Sequence, residues 1–258
     1  MCLAILALGA HPDWPVVIAA NRDEFHGRAA LAAAPWQDAP HIIAGKDVQG
    51  GGTWLGTAHG GRFALLTNVR EPGRQLANAP SRGSLVEGFL RGSLSAAAYA
   101  SEVQATANAF NGFNLLIGDS RGFWYCSNRA EGTELPLAST VVGLSNAGLD
   151  TPWPKLTRSR DAVATELAGG KPLDHESLFA ILGDRSRPAD SLLPNTGVGL
   201  EVERMLGSPF IQSEVYGTRC STVVAQHVTG RIEFRERRYL PSGAVDGDSF
   251  WELGAAAR

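Results

Sequence analysis

Two apolar runs near the start of the chain decide the fold: MCLAILAL at residues 1–8 and VVIAANRDEF at residues 16–25. The seven residues between them include one glycine and two prolines. Short apolar runs on either side of such turn formers are typical of two antiparallel strands. We therefore expect a hairpin whose first strand begins at Cys2.

Cys2 is notable because removal of Met1 would leave a thiol and a free α-amino group on one residue. A thiol pKa near ~8.5 and an α-amine pKa near ~7.7–8.0 are close enough for the amine to accept the thiol proton. The alternative is that Cys2 is a small apolar residue that opens a buried strand. This residue alone does not decide between the two interpretations.

Composition limits the classes of protein to consider. The 258 residues are 44% hydrophobic and 19% charged, which is typical of a globular protein. The formal net charge of −3 argues against nucleic acid or an anionic membrane surface as a partner. The chain has no internal repeat and no linker-like segment, so we predict a single domain over residues 1–258.

Cysteine and histidine usage indicates the compartment and the metal content. Three widely spaced cysteines without a C-x-x-C pair argue against a disulfide framework and a zinc site, and they favour the cytoplasm. The six histidines show no ligand spacing, so we expect no metal. No basic residue precedes Arg22 and no apolar run reaches ~18–20 residues, so we expect neither secretion nor integral membrane association.

The order of elements indicates the fold class. Strands are predicted at 2–8, 16–20, 50–56, 61–68, 113–117, 123–126, 140–145, 218–227 and 231–240. Helices are predicted within 84–107 with a break near Gly92, over 155–167, and from the N-cap Asp174 to about Leu182. Residues 183–200 and the segment between 25 and 50 are expected to be connections. Strands and helices in separate blocks predict an α+β fold with antiparallel sheets.

Polar residues recur at the predicted strand ends: Cys2, Asn21, Asp23, Asn68, Asn146 and Arg219. Each asparagine alone is more typical of a turn, and Arg219 alone of a surface charge. In an extended strand, Asn21 and Asp23 face one way and Arg22 and Glu24 the other, so only one pair can face Cys2. The set as a whole is a candidate site.

Three motifs resemble a known family. Asn-Arg-Asp-Glu at 21–24 follows a Met-Cys start, Gly-Gly-Thr-Trp-Leu-Gly occupies 51–56, and Thr-Asn-Val-Arg occupies 67–70. Together they resemble the NRDE family, which includes the transport-and-Golgi-organisation proteins. The resemblance implies the N-terminal nucleophile (Ntn) hydrolase fold, a four-layer αββα sandwich of two mostly antiparallel sheets between helical layers.

A wider similarity to choloylglycine hydrolases and penicillin V acylases implies catalytic roles. Cys2 matches the nucleophile, whose own amine is the base, and Asp23 matches the carboxylate that holds that amine. Asn146 resembles an oxyanion donor, Asn68 a second donor or substrate contact, and Arg219 an arginine that favours the thiolate. The implied activity is cleavage of a small non-peptide amide C–N bond through an acyl-thioester, without a cofactor.

One position departs from the acylase pattern. Those enzymes have an arginine three residues before the aspartate, where this chain has Ala20. This departure bears on the substrate class more than on the nucleophile. We place Arg22, Asn21 and Trp54 among the expected substrate contacts, and a small amide or a hydrophobic molecule as the ligand.

Two other functions stay open. The same scaffold could serve a non-catalytic protein that binds or transfers haem or an acyl lipid, as the resemblance to NRDE relatives also implies. His26, His59 or Cys2 would then be the candidate axial ligands of haem. A plain structural protein, with Cys2 as a core residue, is the third interpretation.

Overall fold

The computed structural model describes residues 2–130, 134–138 and 140–254. The strands in chain order are β1 Cys2–Leu8, β2 Val16–Phe25, β3 Ala30–Trp36, β4 Ala39–Asp47, β5 Leu55–Ala58, β6 Arg62–Asn68, β7 Phe113–Asp119, β8 Gly122–Ser127, β9 Glu134–Leu137, β10 Thr140–Leu144, β11 Tyr216–Gln226, β12 Ile232–Tyr239 and β13 Val245–Leu253. The α-helices are α1 Gly83–Arg91, α2 Ala96–Thr106, α3 Pro154–Leu167, α4 His175–Leu182 and α5 Leu200–Leu206.

These strands form two antiparallel sheets. The first has the order β10-β1-β2-β11-β12-β13, and the second runs from β3 to β9 in chain order. The strands that begin and end the chain therefore lie in one sheet, and the second sheet is a continuous meander. All strand pairs in both sheets are antiparallel.

The alternation of side chains along β1 shows why the sheets stack in layers. Ala4 and Leu6 pack into a core between the two sheets, whereas Leu3 and Ile5 pack against α3 and α4. On the far side of the second sheet, α1 and α2 cover another apolar core. The inner faces of the two sheets pack on each other and helices cover the outer faces, so the predicted α+β, four-layer αββα arrangement is confirmed.

Several predicted elements are confirmed. The first hairpin joins β1 and β2, and the helical region divides into α1 and α2 around Gly92. Asp174 caps α4, because its side chain accepts a hydrogen bond of 2.9 Å from the backbone N–H of Glu176. The final predicted hairpin corresponds to β11 and β12.

Other elements were not predicted. The segment expected to be a crossing between residues 25 and 50 contains β3, which is rich in alanine and lacks β-branched residues, and β4, whose β-branched residues are Ile42 and Ile43. The strand β13 is mostly exposed and polar, and α5 begins in a glycine-rich stretch. No helix among the described residues is long and apolar enough to span a membrane.

Candidate active site

Cys2 is the first residue of β1, and it lies directly opposite Arg22 on β2. Arg22 is in turn opposite Cys220 on β11. Residues that face each other across a sheet project to the same side, here toward the second sheet. The antiparallel register therefore brings Arg22, and not Asn21, beside the cysteine.

A cavity of about 380 Å³ opens in front of Cys2. Its lining includes three residues of the tetrapeptide at 21–24, namely Arg22, Asp23 and Glu24, together with Trp54 and Asn68. The predicted alternation holds at Arg22, which lies on the same side of the sheet as Cys2. Asp23 also contributes to the lining of the cavity.

Asp23 is held at the base of the site by β11. Its Oδ1 accepts a hydrogen bond of 2.7 Å from the hydroxyl of Thr218, whose oxygen accepts one of 2.9 Å from the backbone N–H of Ile211. Burial raises the pKa of Asp23, and the positive charges of Lys155 and Arg22 and the Thr218 hydrogen bond oppose that effect. The net effect is a pKa of Asp23 above its usual value.

Arg22 is fixed by two contacts. Its guanidinium lies 4.3 Å from the ring centroid of Trp54, and its Nη2 is 3.5 Å from Oδ2 of Asp47. Although burial raises the pKa of Asp47, hydrogen bonds from the N–H of Gly50 and from Arg28 hold that pKa below its usual value. These contacts hold the Arg22 guanidinium on the side of the sheet that Cys2 faces.

The glycine-rich motif at 50–56 shapes one wall. Gly52 has φ +70°, and a Cβ there would lie 2.4 Å from the backbone carbon of Gly83 at the start of α1. A Cβ at Gly45 would lie 2.3 Å from the indole of Trp54. Glycine at both positions therefore lets α1 and Trp54 approach the cavity.

The thiol of Cys2 is half-buried. Burial raises its pKa, and so does the negative charge of Asp23, whereas a hydrogen bond from the backbone N–H of Asp23 and the charge of Arg22 lower it. The net direction is upward, so a thiolate here needs a base close by. Met1 lies outside the described residues, and its removal stays a prediction.

The two predicted oxyanion donors occupy different places. Asn68 lines the cavity, at the end of β6 in the second sheet. Asn146 is buried behind it, and its amide donates a hydrogen bond of 2.8 Å to the backbone carbonyl of Asn68. The backbone carbonyl of Asn146 accepts a hydrogen bond of 2.8 Å from the backbone N–H of Arg70. Asn146 thus fixes the position of Asn68, and it is absent from the cavity lining.

Arg219 is not brought to the thiol. It is the extra residue of the β-bulge in β11, and its Nη1 donates to the backbone carbonyls of Phe25, His26 and Arg28. It lines a separate cavity of about 290 Å³. Arg22 and Trp54 lie between this cavity and the Cys2 cavity and line both. The positive charge at the thiol comes from Arg22 instead.

Asn21 also differs from its predicted role as a substrate contact. Its amide donates to the carbonyls of Leu182 and Pro209, and its carbonyl accepts from the hydroxyl of Ser221. The side chain faces the helical layer and is 1% exposed. It therefore anchors β2 to the helices and does not contact the cavity. Arg22 and Trp54, the other two predicted contacts, both line it.

Sequence reasoning missed several charged residues, among them Arg82 and Lys155. Arg82 lies just before α1, lines the cavity, and donates a hydrogen bond of 3.0 Å to the carbonyl of Gly112. Lys155 is buried in the first turn of α3, and its ammonium interacts with Asp23. An arginine before a helix is a weak signal, and an amphipathic helix pattern does not reveal a buried lysine.

A second, more apolar groove of about 420 Å³ adjoins the Cys2 cavity. Glu24, Asn68 and Arg82 line both spaces. Its apolar lining includes Phe25, Val69, Val198, Val202, Met205 and Val215. The site thus has a polar part at the thiol and an apolar part beyond Asn68.

Of the three candidate haem ligands, Cys2 alone lines the cavity in front of it. The ring Nε2 of His26 lies 3.0 Å from the carbonyl of Ser213, and His59 is exposed in the turn between β5 and β6. Neither histidine lines the Cys2 cavity or the groove. The donor set therefore offers haem one thiolate and no imidazole.

The fold and the site define a class: an α+β protein of four layers, with a cysteine at its second residue facing a polar cavity. The chain belongs to the Transport and Golgi organisation 2 family, whose model matches residues 1–241. The predicted membership of the NRDE family, with its transport-and-Golgi-organisation proteins, is confirmed.

Two relatives show the extent of the similarity. The chain is 34% identical to the Transport and Golgi organization protein 2 homolog of Bos taurus, over 94% of each chain. It is 31% identical to the homolog of Homo sapiens, over 98% of this chain and 96% of that one.

Two solved structures are also similar. One is the Caenorhabditis elegans ortholog of N-acylethanolamine-hydrolyzing acid amidase (TM-score 0.45, 14% identity, covering 86% of this chain and 92% of that one). The other is the C2A mutant of conjugated bile acid hydrolase from Clostridium perfringens (TM-score 0.49, 8% identity, covering 98% and 92%).

Proposed function

We propose that the protein is an amidohydrolase of the Ntn type, with Cys2 as its N-terminal nucleophile, that cleaves a small non-peptide amide C–N bond. One observation carries the proposal: Cys2 and Asp23 from the first sheet and Asn68 from the second line the same cavity. These are the residue types that acyl transfer needs as nucleophile, charged partner and oxyanion donor.

The mechanism begins with removal of Met1, which frees the α-amino group of Cys2. The neutral amine accepts the thiol proton, and the sulfur attacks the amide carbonyl. The C–N bond breaks as the amine returns the proton to the leaving nitrogen, which gives an acyl-thioester and a free amine. Water then attacks the thioester, and the acid product and the thiol are released.

Residues around Cys2 stabilise the charges that develop during the reaction. Arg22 stabilises the thiolate, since its positive charge lowers the pKa of Cys2. Asp23 holds the α-amino group when that group is protonated. The amide of Asn68 donates to the oxyanion of the tetrahedral intermediate.

The two parts of the site suit an amide with one polar and one apolar substituent. The polar cavity, with Arg22, Asp47 and Arg82, takes the amide and its polar substituent. The groove beyond Asn68 takes an apolar substituent.

The test combines mass spectrometry with covalent labelling. We expect the purified protein to lack Met1 and a cysteine-directed acylating probe to label Cys2. The matched control is Cys2→Ser, in which the remaining cysteines, Cys126 and Cys220, are buried and should stay unlabelled. Retention of Met1 in protein that hydrolyses amides would remove the α-amine from the mechanism.

The apolar groove favours a second candidate function, a carrier of a hydrophobic ligand such as an acyl lipid or haem. For haem, the cavity offers the Cys2 thiolate as the sole axial ligand among the three predicted. Titration of the purified protein with haem decides the haem case. A Soret shift that Cys2→Ser abolishes, without any amide turnover in the wild type, would favour the carrier.

We further propose a cytoplasmic location. Cys2 and Cys220 are free cysteines, which suits a reducing compartment. Imaging of a fusion with a C-terminal tag, which leaves residue 2 free, tests this. A signal confined to an oxidising compartment would contradict it.

A further inference from the structure

Arg82 differs from the other arginines of the Cys2 cavity in having no carboxylate partner. It lies just before α1 and lines both the cavity and the apolar groove. Its Nη1 donates a hydrogen bond of 3.0 Å to the backbone carbonyl of Gly112, and no carboxylate in the described part of the chain forms an ion pair with it. A guanidinium has five N–H donors, and this side chain is half-buried, so donors remain for a ligand.

The other two arginines that line the cavity are paired. Nη2 of Arg22 lies 3.5 Å from Oδ2 of Asp47, and Nε of Arg28 lies 2.8 Å from the same oxygen. Nε of Arg28 is also 3.7 Å from Oε2 of Glu24. These carboxylates hold both guanidinium groups in the wall of the cavity. A negatively charged ligand would have to compete with them at Arg22 or Arg28, but not at Arg82.

Two glutamates line the groove together with Arg82, and both have other partners. Oε1 and Oε2 of Glu71 accept hydrogen bonds of 2.9 Å and 2.7 Å from Nε of Arg129. Oε1 of Glu24 accepts one of 2.9 Å from the backbone N–H of Phe25. An ion pair between Arg82 and either glutamate would therefore disturb a contact that already exists.

The charges of the lining indicate the kind of ligand. The described lining contains three arginines and three acidic residues. In the proposed mechanism Asp23 holds the α-amino group of Cys2, so two carboxylates are left to balance three arginines. One positive charge remains, which a group with one negative charge would balance. A carboxylate suits it, because a guanidinium binds a carboxylate through two parallel hydrogen bonds.

We infer that Arg82 is a specificity-determining residue, which binds a carboxylate on the polar substituent of the ligand. Because Arg82 lines both spaces, a carboxylate at its guanidinium and an apolar chain in the groove can belong to one molecule. The inference rests on the proposed function for the amide that joins these two parts. The binding of the carboxylate does not require turnover and is measured separately.

The experiment compares two probes, N-octanoyl-β-alanine and its carboxamide, which have nearly the same size and differ by one negative charge. Both are titrated by calorimetry into Cys2→Ser protein, which lacks the proposed nucleophile. We expect the carboxylate probe to bind at least about tenfold more tightly, the factor that a hydrogen bond to a charged group supplies. Arg82→Gln should remove this preference by weakening the binding of the carboxylate probe alone.

Two further variants complete the series. Arg82→Lys should keep part of the preference, because it retains the charge and loses the planar fork of donors. The matched control is Arg121→Gln, since Arg121 is exposed in the turn between β7 and β8 and lines neither space. It should change both affinities by no more than about twofold. Equal binding of the two probes, failure of the carboxylate probe to bind, or a preference that survives Arg82→Gln would overturn the inference.

A second measurement covers the case in which Arg82→Gln does not fold. The Nε–H signal of Arg82 is then followed by ¹⁵N NMR in Cys2→Ser protein, with the signal assigned by its loss in Arg82→Lys. The carboxylate probe should shift this signal, and the carboxamide should not. Equal shifts with both probes, or no shift with either, would overturn the inference.

Activity separates this inference from the proposed function. If the wild type hydrolyses the carboxylate probe, its kcat/KM should exceed that of the carboxamide by at least about tenfold, in line with the affinities. Amide hydrolysis without this preference would overturn the role of Arg82 and leave the proposed hydrolase standing. If the wild type hydrolyses no amide, the hydrolase proposal fails, and the affinities of the two probes still decide the role of Arg82.

Discussion

Two aspartates line the same cavity, and both lie near Arg22, yet their environments push their pKa values in opposite directions. Asp47, at the end of β4, accepts hydrogen bonds from the backbone N–H of Gly50 and the guanidinium of Arg28, and its pKa is lowered. Asp23, at the end of β2, is more deeply buried, and its pKa is raised.

The difference indicates a division of roles. A carboxylate that is well supplied with hydrogen-bond donors is stable and serves to hold its neighbours in place. A carboxyl whose pKa is raised by burial, while nearby positive charges and a hydrogen bond oppose that effect, responds to its surroundings, which is typical of functional sites. We therefore assign the chemistry to Asp23 and the shape of the cavity wall to Asp47.

The largest expected effect comes from removing the charge of each aspartate. Asp23→Asn should lower kcat/KM for an amide substrate by roughly 10²–10⁴-fold, because the α-amino group loses its charged partner. Asp47→Asn should have a much smaller effect on kcat/KM. Steady-state kinetics on the two variants measure the ratio, and equal losses would remove the distinction between the aspartates.

Substitutions of Asn68 and Asn146 test the same distinction between a residue that takes part in the chemistry and one that holds a neighbour in place. Asn68→Ala should remove an oxyanion donor, with a loss of ~2.7–4 kcal/mol of transition-state stabilisation that appears mainly in kcat. Asn146→Ala should lower the free energy of unfolding by about 1 kcal/mol, because the carbonyl of Asn68 loses a donor. A larger kcat effect for Asn146→Ala would mean that Asn146, not Asn68, meets the oxyanion.

The pH dependence of the free energy of unfolding also tests the role given to Asp47. The pKa of Asp47 is lowered by folding, so its stabilising contribution is present above about pH 4 and is lost as pH falls through its folded pKa. We expect Asp47→Asn to be less stable than wild type by about 1–2 kcal/mol at pH 7, with a gap that closes in acid. Urea unfolding between pH 3 and 7 measures this. A gap that widens in acid would contradict the assignment.

The smallest effect concerns the arginines. Arg22→Gln should slow alkylation of Cys2 by up to about tenfold at neutral pH, because the thiol pKa rises. Arg219→Gln should change that rate by no more than about twofold, since its guanidinium binds backbone carbonyls outside the cavity. Rates with iodoacetamide provide the measurement, and a strong effect of Arg219→Gln would place it at the thiol after all.

The fold could be predicted where the local signals are strong. The β1–β2 hairpin follows from two apolar runs around a turn, and α4 follows from its Asp174 cap. β3 was missed because an alanine-rich strand owes its stability to tertiary packing rather than to intrinsic preference, and β4 was missed because its apolar run around Ile42 and Ile43 is short. Asp47 ends one of these strands and was missed with it.

The candidate site could also be predicted only where the local sequence signals are strong. Cys2, Asp23, Asn68 and Trp54 end or follow recognisable strands or motifs, and they line one cavity. The position of Arg219 depends on a β-bulge, and one extra residue in a strand leaves no clear trace in the sequence. The burial of Lys155 is a property of the helix packing, which amphipathic spacing does not specify.

The bulge at Arg219 also has a consequence for how the chain tolerates change. Thr218 and Cys220 are two positions apart, yet they lie opposite Asp23 and Arg22, which are neighbours on β2. Deleting residue 219 would remove the bulge and leave Thr218 opposite Asp23, because the pairs on either side of the extra residue keep their partners. The deletion would thus remove the hydrogen bonds from the Arg219 guanidinium to the backbone carbonyls of Phe25, His26 and Arg28, whereas the Thr218 hydroxyl would stay beside the carboxyl of Asp23.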